Sequence, residues 1–159
     1  SSSPVLARFA MATLRQTFSG GVPPRFSARK VSSLLTTDET ENIWDAARHA
    51  NVHRVEQLLS AGTSANTQDR EGVSPLSWAA HAQADGVVEL LLRRRADPNL
   101  ADGYTQRTPL HYAAKTNSTD CVTALLGAGA DTSAKTKGGC TPGDWAKQCS
   151  ATDVIALLG

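Results

Sequence analysis

From residue 41 onward, apolar residues fall in short clusters spaced i, i+3, i+4, with polar residues between them. Ile43, Ala46 and Ala47 form one cluster, Val55, Leu58 and Leu59 another, and Val122, Leu125 and Leu126 a later one. That spacing places each cluster on one face of a helix. Each run lasts only two or three turns, too short for a helix that stands alone in water. The pattern therefore predicts helices that come in pairs and bury their faces against neighbours. The expected spans are 41–48 with 53–60, 75–82 with 86–94, 109–115 with 119–127, and 142–148 with 151–158, the first capped by Asp38.

The first helix of each pair opens on a recurring element. It reads Thr108-Pro109-Leu110-His111-Tyr112-Ala113-Ala114 in its fullest form, Ser74-Pro75-Leu76-Ser77-Trp78-Ala79-Ala80 before it and Thr141-Pro142-Gly143-Asp144-Trp145-Ala146 after it. Thr or Ser caps the first amides, and Pro at the first helical position fixes φ where its missing N–H costs nothing. Pro75 and Pro109 are 34 residues apart, Pro109 and Pro142 33. A degenerate copy, Asn42 to Ala47, falls at the same phase.

This element and its period resemble the ankyrin repeat family, over roughly residues 41 to 159. The resemblance implies an all-α solenoid of four stacked helix-turn-helix units with hairpin-like fingers, at about 38–68, 69–101, 102–134 and 135–159. It makes Pro75, Leu76, Pro109, Leu110 and Pro142 structural, and gives His111 a hydrogen bond within its turn. It also implies protein binding through the finger tips and the exposed face of the first helices. Carried onto this chain, that face comprises Arg48 and His49 in the first unit, and Arg70, Glu71, Val73 and His81 in the second. Tyr104, Gln106, Arg107 and Lys115 follow in the third, and Lys137 in the fourth. Trp44, Trp78 and Trp145 lie near the same positions, where inter-repeat packing also claims them.

Three departures from the pattern carry structural expectations. Arg95 stands where Gly62 and Gly129 end the other second helices, which puts a non-glycine at positive φ at a cost of about 1 kcal/mol. One additional residue before Thr108 should bulge the third finger and push Tyr104 or Gln106 outward. Gly143 replaces the leucine of the motif and loosens the last unit.

Composition adds a division within the chain. Residues 1–37 contain Arg8, Arg15, Arg25, Arg29 and Lys30 and no acid, a net +5, whereas residues 38–159 sum to −4. In the basic segment Leu6, Phe9, Leu14 and Phe18 can lie along an amphipathic helix, which would need a partner surface. That segment reads as an assembly anchor, an organellar targeting sequence or a plain linker. No run of 18 apolar residues occurs, so no transmembrane segment is expected. Three cysteines at unrelated spacings suit a reducing, intracellular setting, whether cytoplasm or the interior of a mitochondrion or chloroplast.

The sequence supplies little for catalysis. It contains no glycine-rich phosphate loop, no His-Glu-x-x-His and no nucleophile elbow. The four histidines fall on units stacked about 10 Å apart, too far to share a metal whose ligands sit near ~2 Å. The reading is a non-catalytic protein-interaction module without cofactor, metal or small-molecule substrate. It would be an accessory subunit held in a larger complex by its N-terminal extension. The alternative is a nucleic-acid-associated assembly protein using the tail arginines together with Arg93, Arg94 and Arg95.

Overall fold

The computed structural model describes residues 41–159, which form eight helices and no strand. They are α1 (Ile43–Arg48), α2 (Val52–Ser60), α3 (Pro75–His81), α4 (Asp85–Arg93), α5 (Pro109–Lys115), α6 (Thr119–Gly127), α7 (Pro142–Gln148) and α8 (Thr152–Leu158). The first helices α1, α3, α5 and α7 pack on one another in a row, and α2, α4, α6 and α8 form a second row behind them. The expected spans hold to within a residue, except at the start. The first helix begins at Ile43, capped by the Asn42 side chain, which accepts the Asp45 N–H at 2.9 Å. Asp38, the expected cap, lies outside the described residues, as do Leu6, Phe9, Leu14 and Phe18 of the proposed tail helix.

Helices of six to nine residues leave many orphan carbonyls, and a single backbone device closes them. After each first helix one residue turns to left-handed φ: Ala50, Gln83, Asn117 and Ser150, at 57°, 57°, 54° and 55°. The next N–H then reaches back five residues, Asn51 to Ala46, Ala84 to Ala79, Ser118 to Ala113 and Ala151 to Ala146, at 2.8 to 3.3 Å. This is the Schellman closure. The sequence reading expected it only behind the second helices, where Thr63 reaches Leu58, Ala96 reaches Leu91 and Ala130 reaches Leu125. The residues that turn there are Gly62, Arg95 and Gly129, so Arg95 does adopt positive φ, at 63°. Ala50, Gln83, Asn117 and Ser150 escaped notice because glycine was the signal sought.

The core is thin and made largely of small side chains. Ala46, Ala47, Ala79, Ala80, Ala113 and Ala114 are wholly buried between first helices, with Leu76 and Leu110 beside them. Val55, Val87, Val88, Leu91, Val122, Leu125 and Val154 fill the space between the two rows. In α7 a Cβ placed on Gly143 would meet only Thr141 Oγ1, at 3.8 Å, so the missing leucine leaves the last unit less filled.

Side-chain amides also tie each unit to the next. Asn66 accepts the Asp97 N–H at 2.7 Å and donates to the Arg95 carbonyl at 3.4 Å. One unit on, Asn99 accepts the Asp131 N–H at 2.7 Å and donates to the Gly129 carbonyl at 3.2 Å.

Relief of the one strained second-helix end is directly measurable. Arg95→Gly keeps the Ala96-to-Leu91 bond and removes a Cβ from the left-handed region, less the extra freedom glycine gives the unfolded chain. The expected result is a gain of up to roughly 1 kcal/mol, read as a higher urea midpoint at constant m.

Candidate protein-interaction face

The third residue after Pro75, Pro109 and Pro142 is aromatic, Trp78, Tyr112 and Trp145, and in the proline-free first unit Trp44 stands one helical position earlier, six rather than five residues before the left-handed turn. All four are half-buried, with one edge in the stack and one toward the surface. Three of them donate into the fingers. Trp44 Nε1–H reaches the Thr67 carbonyl at 3.3 Å, Trp78 Nε1–H reaches Asp69 Oδ2 at 2.9 Å, and the Tyr112 hydroxyl reaches Asp102 Oδ2 at 3.0 Å. Arginines from neighbouring units lie on two of the rings. The Arg48 guanidinium is 4.7 Å from the centre of Trp78 and that of Arg107 is 4.5 Å from Trp145. Contacts of this kind contribute about 0.5–1 kcal/mol when exposed. His81 stands edge-on between Trp78 and Tyr112, 6.3 and 6.0 Å away. The tryptophans thus pack between repeats and also line the open face, so the two readings of them do not compete.

Beside this column the fingers stack. In the second unit Asp69 Oδ1 accepts the N–H groups of Glu71 and Val73, at 2.9 and 2.8 Å, and holds the turn shut. In the third, Asp102 spans one residue more. It accepts the N–H of Tyr104 and of Thr105 and the Thr105 hydroxyl, and its own N–H donates to the Arg107 carbonyl. Burial alone would raise the Asp102 pKa, but the bonds from Thr105, Tyr112 and Tyr104 outweigh it and hold the carboxyl below its ordinary value. Tyr104 is carried outward to 68% exposure, and Gln106 is exposed with φ of 57° where the neighbouring fingers have Gly72 and Gly139. The Gly103 N–H donates to the Glu71 carbonyl at 3.3 Å and the Lys137 N–H to the Thr105 carbonyl at 2.8 Å, linking three fingers edge to edge. A Cβ on Gly72 would fall 2.4 Å from the Gly103 nitrogen, so no other residue permits this approach.

Beneath the fingers His111 is wholly buried and bonded at both nitrogens. Nδ1 accepts the Thr108 N–H at 3.1 Å, which leaves the proton on Nε2, and Nε2–H donates to the Cys140 carbonyl of the next unit at 3.1 Å. Burial drives its pKa below 6.5, and the nearby Arg107 charge adds to the fall. His81 is lowered too, by burial first and then by Lys115 and Arg48.

The remaining residues read from the sequence sort by exposure. Arg48, His49, Arg70, Glu71, His81, Lys115 and Lys137 are exposed, while Arg107 is half-buried against Trp145. Val73 is a correction. It is only 5% exposed, with its N–H bonded to Asp69 Oδ1 at 2.8 Å, and it offers a partner little surface. Pro75, Leu76, Pro109, Leu110, His111 and Pro142 are all buried. Tyr112 and Asp102 were not singled out in the sequence as parts of the face. Aromatic spacing of 34 and 33 residues from Trp78 through Tyr112 to Trp145 was the signal that would have found Tyr112.

Two grooves of the face differ in character. One of about 760 Å3 lies between Trp44 and Trp78 and carries both signs of charge, from Asp45, Arg48, Asp69, Arg70 and Glu71. The other, about 240 Å3, lies between Tyr104 and Trp145. Among the described residues no three His, Cys, Asp or Glu side chains converge on a metal position, and no helix is long and apolar enough to cross a membrane. Cys121 is buried, with its thiol 2.9 Å from Asp85 Oδ1; burial, then that carboxylate, push it up to about 12, far from a reactive thiolate.

A family model described as ankyrin repeats (3 copies) matches residues 43–136 and 86–158. Among curated proteins, the chain is 35% identical over 113 residues to neurogenic locus notch homolog protein 1 of Xenopus laevis, covering 71% of this chain and 4% of that protein. It is 37% identical over 114 residues to cyclin-dependent kinase 4 inhibitor B of Bos taurus, covering 72% of this chain and 86% of that protein. Against palmitoyltransferase Hip14 of Drosophila melanogaster it is 30% identical over 100 residues, 63% of this chain and 16% of that protein.

Two histidines held neutral in the folded chain make stability pH-dependent. Below about 6.5 the unfolded chain binds protons that buried His111 and packed His81 refuse. Their contribution is therefore complete above that value and lost as pH falls. Urea midpoints should drop between pH of about 7.5 and 5.5 at constant m, a window above the carboxylate range. His111→Gln should lower stability by about 1–3 kcal/mol and flatten the slope. A midpoint that rises on acidification would show instead that His111 is protonated in the fold.

Proposed function

Because the chain belongs to the ankyrin repeat family, whose stacked units are a non-catalytic protein-interaction scaffold, we propose that it binds a segment of a partner protein along the face made by its fingers and first helices. The observation that carries the reading is the column Trp78, Tyr112 and Trp145, flanked by Trp44 and half-exposed beside three linked fingers. Rigid aromatic edges with charged side chains at the rim are what a protein interface concentrates. Nearly equal identity to proteins with names as different as notch and a kinase inhibitor reflects the shared repeat and selects no partner. The chain spans only 4% of the first of these relatives, whose activity as a whole protein does not transfer.

The second part of the proposal concerns the +5 segment of residues 1–37. It anchors the solenoid in a larger assembly, leaving the face for a different contact. The reading through nucleic acid loses support on the solenoid itself, where Arg93 pairs with Glu89 at 3.2 Å and Arg94 lies 3.7 Å from Glu56.

Native affinity purification of three proteins separates the two parts. The full chain should recover a multi-protein complex. A chain beginning at Asp38 should keep the partner of the face and lose the rest of the assembly. Full-length Tyr104→Ala/Arg70→Glu should lose the face partner by ten-fold or more, the scale of a roughly 1.4 kcal/mol contact or larger. Equal recovery by all three proteins would sink the proposal.

A further inference from the structure

The groove between the third and fourth fingers differs from its neighbour in charge. Among the described residues its charged lining is Arg107 and Lys137, set among Tyr104, Trp145, Thr136 and Gln148, with no carboxylate. Among the described residues neither cation has an acid within ion-pair distance. Asp102, which with Glu71 and Arg107 lines the adjoining hollow, is committed to Thr105, Tyr104 and Tyr112. Arg107 has an unmet donor, because its Nε is buried without a hydrogen-bond partner while the guanidinium lies 4.5 Å from the centre of Trp145 and, among the described residues, bonds only the neutral Tyr112 hydroxyl. A cation fixed in position, partly desolvated and not neutralised is a site whose missing element is an anion. At about 240 Å3 the groove is smaller than the ~300–1,000 Å3 of small-molecule pockets, so it suits one side chain of a longer chain.

We infer that this groove is the docking point for an acidic segment of the partner protein, with an Asp or Glu carboxylate placed between Arg107 and Lys137 and the adjoining residue lying on Tyr104. This rests on the face being the binding surface, and it adds the chemistry of what binds there. The first groove, with Asp45, Asp69 and Glu71 beside Arg48 and Arg70, lacks that single sign and does not discriminate in the same way. The contact is charge-assisted and lies at an accessible rim, so salt weakens it through association more than through release.

The test uses the full chain and a random peptide library displayed on phage, with recovered peptides resynthesised and their affinities measured by fluorescence anisotropy. The expected result is enrichment of peptides carrying Asp or Glu beside an apolar residue, with binding weakened roughly ten-fold or more by Lys137→Glu and unchanged by Arg93→Glu, at the end of α4 in the second row. Lys137 is exposed, so that variant reports on binding even if Arg107→Ala disturbs the packing on Trp145. Peptides without acid that are lost on Arg70→Glu and indifferent to Lys137→Glu would overturn the inference and leave the protein-binding reading standing. An oligouridylate probe that binds more tightly than any peptide, with steep salt dependence and loss on Lys137→Glu, would also overturn it, assigning the cations to phosphate. Recovery of no peptide at all would overturn both readings together.

Discussion

Short helices cannot leave their ends open, and the way this chain closes them decides what each unit can look like. Four turns within units and three between them bring an N–H back to a carbonyl five residues earlier, each through one left-handed residue. With both ends tied, helices of six to nine residues point in fixed directions and present flat faces of alanine to one another. Intrinsic propensity contributes little at that length, and burial between units supplies most of the stability. The asparagine bridges then join the first unit to the second and the second to the third.

The open face follows from that stacking. Because the units repeat at nearly constant distance, one position in each first helix falls in a line, and in α3, α5 and α7 an aromatic residue at that position becomes a column. The fingers are fastened to the column by indole and phenol hydrogen bonds and to each other by main-chain bonds. Side chains at the rim are consequently presented by a backbone that is already ordered, which lowers the entropy lost when a partner binds.

Much of this was legible in the amino-acid sequence, for identifiable reasons. Repetition multiplies weak signals, so Pro75, Pro109 and Pro142 placed the helices to within a residue, and the count of residues before Thr108 foretold an enlarged third finger. Arg95 stood out because a glycine was expected there. Ala50, Gln83, Asn117 and Ser150 did not, since left-handed turns made by ordinary residues carry no compositional mark. Val73 misled because a valine in a loop gives no sign of which way its backbone turns it. The bonds of Asp102 and the orphaned Arg107 Nε depend on contacts between units, which spacing along the chain does not encode.

The enlarged finger has a consequence for how the face is read. A surface that repeats without error offers a ligand the same footprint several times over, and a bound segment can shift by one unit at little cost. In the third unit the added residue, the protruding Tyr104 and a glutamine in place of glycine break that translational symmetry at one place. The irregularity works as an origin mark on an otherwise periodic ruler, so that a partner has one register in which to lie.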